Sequence, residues 1–179
     1  MGYDVNAMWK KTTLRESIAA GVWLSLARFR SQKQRVLRIQ SRASFVIVLR
    51  GAEVLLIRRP FGSVWELPGG ALKYHESYED AAVRELREET NLGTSTVKSS
   101  DLASLGRYIR NGNEQIAVFV ANAQRDCTLS KKYWSLEVAE TRFFSLTMLP
   151  ALMPGAYRRI QECVEQPTSY SRQVGLKPW

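Results

Sequence analysis

Gly70-Ala-Leu-Lys-Tyr-His-Glu-Ser-Tyr-Glu-Asp-Ala-Ala-Val-Arg-Glu-Leu-Arg-Glu-Glu-Thr-Asn-Leu92 places three carboxylates, Glu85, Glu88 and Glu89, at helical spacing behind a glycine turn. Like charges three and four residues apart repel on a helix surface. A hard divalent cation with oxygen ligands turns that repulsion into a binding site. At about 100° per residue, with Glu85 at zero, Glu88 falls near about −60° and Glu89 near about +40°, so the three share one face. Ala81 lies on that face one turn earlier, and its small side chain leaves room for an ion and a phosphate. Leu86 and Val83 point elsewhere and would anchor the helix to a sheet. Ser77 is a good N-cap, with Asp80 three positions on to help close the first turn, and the helix is predicted to run to about Thr90.

Outward from this helix, Ser44–Arg50 and Glu53–Arg59 read as strands joined at Gly51-Ala52 into a hairpin. Phe45 to Leu49 is a continuous apolar run, as a strand covered on both faces requires. Pro60 to Ser63 opens a loop, and Trp65–Leu67 is a short strand ahead of the glycines. Leu102–Arg110 and Glu114–Ala121 form a second hairpin across Asn111-Gly112-Asn113, since Asn-Gly is a strong hairpin signal. Arg142–Leu146 is a further strand, and a last helix runs from about Gly155 to Glu165 with Ile160 and Val164 on one face. Strands, helix, strands, helix is not the regular alternation of a doubly wound sheet. It predicts an α/β protein of α+β layering, with a mixed sheet between helices.

The chain has 179 residues, 45% hydrophobic and 24% charged, which suits one domain with a full core. No apolar run reaches the length of a membrane span. The net charge of +9 is unevenly placed: residues 1–42 hold nine Lys and Arg against Asp4 and Glu16, a net +7, and the remainder carries only +2. The basic character therefore belongs to the N-terminal arm, and speaks only weakly for nucleic acid at the glutamate site. Within the arm, Leu14, Ile18, Val22, Leu26 and Phe29 make one apolar stripe, which predicts a helix over 12–30 flanked by basic residues. Three readings fit it: a helix packed on the domain or on a second copy in a homodimer, an interfacial helix over 12–38 touching anionic lipid, and a secretion signal. Glu16 within the basic leader and the positive cluster that follows speak against secretion. Cys127 and Cys163 are far apart and form no metal or redox motif, so reduced, buried thiols and a cytoplasmic location are expected.

With these residues in view, the segment resembles the signature of the Nudix hydrolases. Gly70, Glu76, Arg84, Glu85, Leu86, Glu88, Glu89 and Leu92 fall on the family's pattern, and Asn91 stands where the family has glycine. Asn is the next residue type to accept a left-handed helix end, and Gly93 follows it. Trp65-Glu-Leu-Pro-Gly-Gly70 resembles the approach to the signature, and Glu137 to Pro150 resembles the stretch that follows the catalytic helix, so the likeness covers roughly residues 43–166. The division that follows is a basic arm (1–42), a Nudix domain (43–166) and a C-terminal tail (167–179).

The resemblance implies an α/β/α sandwich and a metal site in which Glu88 and Glu89 are ligands together with the carbonyl of Gly69. It implies that Glu85 binds metal or orients the attacking water, and that Gly70, Glu76 and Arg84 are structural, the last two bridging loop to helix. Glu137, and less closely Glu140, aligns with the further acidic ligand or base that some members carry. Because every candidate ligand is an oxygen, magnesium is the expected ion, with manganese able to substitute. The reaction that fits is hydrolysis of a nucleoside diphosphate linked to another moiety, or of a similar pyrophosphate, by water attack at phosphorus. Arg58 and Arg59 end a strand near the presumed cleft, and alternation turns one of them towards it to hold phosphate. Phe61, Trp65, Tyr74 and Tyr78 are placed to stack on a base or to pack the core. His75, the single histidine, reads as a surface residue. Two other functions remain: an RNA 5′-end pyrophosphohydrolase fed by the basic arm, and a nucleotide sensor without turnover. The intact Glu85, Glu88 and Glu89 oppose the sensor.

Overall fold

Strand β1 (Arg42–Arg50) is the axis of the molecule, and its apolar run explains why. Phe45 and Ile47 point into one core cluster, and Val46 and Val48 into another. A strand buried on both faces belongs at the centre of a sheet. In the computed structural model, which describes residues 41–60, 62–90, 92, 97–127, 129, 137–165 and 176–179, β1 runs parallel to β6 (Glu114–Asn122) along almost its whole length. β6 forms the predicted hairpin with β5 (Ala103–Arg110), and Asn111 and Gly112 at its tip have φ of 51° and 78°.

The other edge of β1 is divided. At its end, Leu49 and Arg50 pair with Val54 and Glu53 of β2 (Glu53–Arg58). At its start, Ala43 to Phe45 pair with β4 (Gly69–Ala71). The predicted β1–β2 hairpin therefore closes only beside its turn. β2 then diverges, pairing with β7 (Glu140–Ser145) along its length and with β3 (Trp65–Glu66) at its end. The split leaves a gap at Val46, whose N–H is taken by the Pro68 carbonyl at 3.0 Å. A backbone group in the core needs such a partner, and here the partner brings Pro68-Gly69-Gly70 against the centre of the sheet.

Helix α1 (Tyr78–Thr90) covers one face, burying Tyr78, Ala82 and Leu86 against Val46, Val48, Leu55 and Phe119. Ser77 caps it as expected: its hydroxyl accepts the Asp80 N–H at 3.0 Å and donates to the Asp80 carboxylate at 2.7 Å. Helix α2 (Pro154–Glu165) covers the other face through Ala156, Ile160 and Cys163. The result is the expected α/β/α sandwich around a mixed sheet.

Several expectations need correction. Val164 is 50% exposed while Ile160 is 1% exposed; the buried stripe runs through Ala156, Arg159, Ile160 and Cys163, leaving Val164 at its border. Cys163 is a buried thiol as expected, but Cys127 is only half-buried. β4 and a 3-10 turn at Ser99–Asp101 were not expected. Nor was β8 (Leu176–Pro178), which lies in the segment read as a tail. It runs parallel to β5, and Trp179 beyond it stacks on Phe45 at 5.4 Å between ring centres. The predicted helix over 12–30, with its lipid and dimer readings, lies outside the described residues, as do Phe61 and Asn91. Among the described residues no helix is long and apolar enough to cross a membrane.

The correction in α2 is measurable. Ile160→Ala is expected to lower unfolding free energy by about 2–5 kcal/mol, whereas Val164→Ala should stay within about 0.5 kcal/mol; urea denaturation of both reads the contrast.

Candidate active site

The site forms where β4 meets the last turn of α1. Gly69 has φ of 151°, and a Cβ there would lie 2.3 Å from the Ser44 carbonyl oxygen of β1. Only glycine lets the two backbones come this close. The Gly69 N–H points at α1 and donates to Glu89 Oε2 at 2.7 Å. The side chain of Glu89 is 2% exposed. Its other oxygen, Oε1, is buried and accepts no hydrogen bond among the described residues, although Arg59 Nη2 forms an ion pair with it at 2.8 Å. Burial pushes the Glu89 carboxyl up to about 8, with the Glu85 and Glu66 charges adding to it, against the opposing pull of Arg59 and the Gly69 N–H.

Arg59 fills the mouth of this pocket. It donates to the Glu66 carboxylate, and at 3.4 Å to the carbonyls of Gly69 and Glu137. Of the two arginines, one of which alternation turns towards the cleft, Arg59 is the one that faces it. Arg58 turns away and pairs with Glu140 at 3.0 Å across the β2–β7 rung. Glu140 also holds Arg142, at 2.8 Å. Two of the candidate substrate residues, Arg58 and Glu140, are thus committed to each other. The Glu137 carboxylate stays exposed at the rim, where its charge favours the protonated Arg59.

Arg84 organises the outer half of the site. Its Nε and Nη2 form a two-pronged pair with Glu76 at 2.7 and 2.9 Å, and Nη2 also reaches the Ala71 carbonyl at 3.0 Å. Bidentate geometry of this kind is the strong form of the ion pair. It ties the Leu72–Glu76 loop to α1. The Lys73 N–H donates to the same carboxylate. The Arg84 hydrogen bonds, helped by that N–H, hold Glu76 down to about 2. Arg84 Nη1 turns the other way, to Glu85 at 2.7 Å and Glu88 at 3.2 Å. Glu85 lies over Gly70, where a Cβ would come within 2.5 Å of its Oε1.

The three glutamates therefore do not converge. Glu89 points inward, Glu85 lies at the edge, and Glu88 is 50% exposed, with Lys73 at 3.7 Å. Among the described residues no three His, Cys, Asp or Glu side chains gather as a ready-made metal cluster. The common face read from the sequence spans about 100° of arc, and different cations draw its members apart: Arg84 holds Glu85 and Glu88, while Arg59 and Gly69 hold Glu89. The donors still fit a magnesium or manganese ion. They are all oxygens, one is a buried carboxylate oxygen without a hydrogen bond, and magnesium typically takes one or two protein carboxylates beside water and phosphate.

The stacking candidates fare differently. Trp65 is buried, edge-on to Phe144 at 4.6 Å, so it is a core residue rather than a base platform. Tyr78 is also buried, under the Arg107 guanidinium at 3.9 Å. Tyr74 is exposed beside His75, whose ring centre lies 3.9 Å from its own. Sequence reasoning missed Glu66, which orients Arg59. Strand alternation carried the signal, because a buried Trp65 turns Glu66 to the opposite side.

The NUDIX domain family model matches residues 40–163. The chain belongs to the Nudix hydrolase family. A Bacillus subtilis (strain 168) protein provisionally named an 8-oxo-dGTP diphosphatase is 47% identical over 51 residues, 28% of this chain and 34% of that protein. The chain thus spans about a third of the length of the curated relatives it matches. An ADP-ribose pyrophosphatase from Streptococcus suis superposes with a TM-score of 0.58 at 19% identity, over 79% of this chain and all of that one. A bifunctional NMN adenylyltransferase/ADP ribose pyrophosphatase from Francisella tularensis, solved with AMP and manganese, gives 0.58 at 20% identity, over 75% of this chain and 45% of that one. These two structures share the Nudix fold.

The Glu76–Arg84 pair has a pH signature. A carboxylate held low in the folded state contributes stability that is full above the ordinary value of about 4.3 and is lost as pH falls towards about 2. Glu76→Gln should be less stable than wild type at pH 7 and lose less between pH about 4.5 and about 2. Parallel urea-denaturation series for the two proteins across that window would show the pair to be inert.

Proposed function

We propose that this Nudix domain hydrolyses a nucleoside diphosphate linked to another moiety, or a similar pyrophosphate, with water attacking phosphorus. The observation that carries the reading is the Glu89 side chain, buried beside the Gly69 carbonyl, with Oε1 accepting no hydrogen bond among the described residues and compensated there by the Arg59 guanidinium at 2.8 Å. A buried carboxylate is costly unless a cation or donors compensate it, and an enzyme retains such a group where its charge has work to do.

In this reading Gly69, Glu85, Glu88 and Glu89, with Glu137 at the rim, hold magnesium, or manganese in its place. When bound, the ion neutralises phosphate oxygens and makes water a better nucleophile at neutral pH. The remaining work belongs to the chain itself. The Gly69 N–H fixes the orientation of Glu89 through Oε2, leaving Oε1 to the Arg59 guanidinium. Arg84 and Glu76 hold the Leu72–Glu76 loop, and the missing side chain of Gly70 leaves room for the Glu85 carboxylate. Glu85, held at its Oε1 by Arg84, orients the attacking water and takes its proton. The names of the relatives differ in substrate, 8-oxo-dGTP for one and ADP-ribose for others, and have in common cleavage of a diphosphate or pyrophosphate. That common part supports the substrate class proposed.

A magnesium-supplemented screen of nucleoside triphosphates, ADP-ribose, nucleotide sugars, dinucleotides and capped RNA tests this. Turnover should vanish on chelation, and Glu85→Gln, Glu88→Gln and Glu89→Gln should each lower kcat at least about 100-fold, the scale of lost acid–base or metal-orienting groups. Full activity in all three variants would place the site elsewhere.

A further inference from the structure

One guanidinium already addresses the oxygens that a metal ion would need. Arg59 Nη2 is 2.8 Å from Glu89 Oε1 and 3.4 Å from the Gly69 carbonyl oxygen. Its Nε is held by Glu66, and Nη1 faces the Glu137 carbonyl at 3.4 Å. Four acceptors from four segments therefore converge on one cation supplied by the chain. A magnesium ion would sit at about 2.0–2.1 Å from its oxygens, within the space where Nη2 meets both groups. A guanidinium and a dication cannot share these two oxygens, because the space is one and their charges repel.

We infer that Arg59 is a built-in counter-ion that the metal must displace before it reaches Glu89 and Gly69. The inference rests on the reading of this site as a metal site. Arg59 keeps binding of the ion by the protein alone weak, and the substrate relieves that restraint. A diphosphate brings anionic oxygens that both cations can use: some complete the shell of the metal, and others receive the released guanidinium. Glu66 makes the movement short. Its carboxylate holds Nε, so the guanidinium can turn about that anchor while Nη2 leaves Glu89. Arg59 thus acts as a positioning residue that couples metal entry to substrate entry.

The direction of the effect separates this role from a structural one. Loss of a merely structural arginine loosens the pocket and weakens metal binding; loss of a competitor tightens it. The test is titration of Mn2+ into the full chain without nucleotide, anaerobically at pH 8.5, with the free ion followed by electron paramagnetic resonance. Arg59→Ala is expected to bind Mn2+ about tenfold more tightly than wild type, and Arg59→Lys, which keeps a charge but not the fork, to fall between them. Far-UV circular dichroism and thermal unfolding establish that each variant is folded. Equal or weaker Mn2+ binding by folded Arg59→Ala overturns the inference. A different result sinks the metal site itself: wild type and Glu89→Gln equally unable to bind Mn2+ even with α,β-methylene-ADP present.

Discussion

The hydrogen bond from the Gly69 N–H to the Glu89 carboxylate is the constraint around which this molecule is arranged. It joins the last turn of α1 to β4, and β4 in turn is joined to β1 at Phe45. Burial drives the Glu89 carboxyl towards its protonated form, and this hydrogen bond opposes that by favouring the ionised one. Every neighbouring feature serves the approach. The divided edge of β1 makes room for the glycines. Pro68 fills the gap at Val46, and Gly69 itself can carry no Cβ because of Ser44. Thr141 of β7 adds a second tether, its hydroxyl donating to the Glu89 carbonyl at 3.1 Å.

Around that bond the charges sort into two shells. The inner one joins Arg59 to Glu66 and Glu89, and the outer one joins Arg84 to Glu76, Glu85 and Glu88. Two arginines thus share five glutamates. The imbalance of charge is what a divalent ion and its phosphate ligands would adjust. The outer pair also shows why geometry matters more than ion-pair counting. The Glu88 contacts are half in solvent and worth little, whereas the bidentate Glu76–Arg84 contact fixes a loop.

Much of the fold was legible from local patterns. The apolar run at Phe45 to Leu49 announced a doubly covered strand, Asn111-Gly112 a hairpin, and Ser77 the start of α1. Each signal depends on residues close in sequence, and steric or hydrogen-bond preferences act at that range. The misreadings depend on contacts far apart. Trp65 read equally as a base platform or as core, and only the contact with Phe144 decides for the core. Val164 looked like a partner of Ile160 because 3.6-residue periodicity gives a helix a stripe without saying how wide the opposing surface is. β8 is three residues long and could not be told from a tail, since its identity lies in pairing with β5 and in the seat of Trp179 on Phe45.

The sequence by itself determined which groups are on hand around the pocket: Gly69 and Gly70, the glutamates at 85, 88 and 89, the Glu76–Arg84 pair, and two arginines of which alternation would select one. These are matters of residue type and spacing along a single strand or helix. Tertiary structure alone decided how they are divided. It put Glu89 inside and Glu88 in solvent, gave Arg59 to the glycine carbonyl and Arg58 to Glu140, and turned Trp65 into core. The physical reason is that burial and charge partnership are properties of surfaces brought together from distant parts of the chain. A helical wheel assigns direction, but not what waits there.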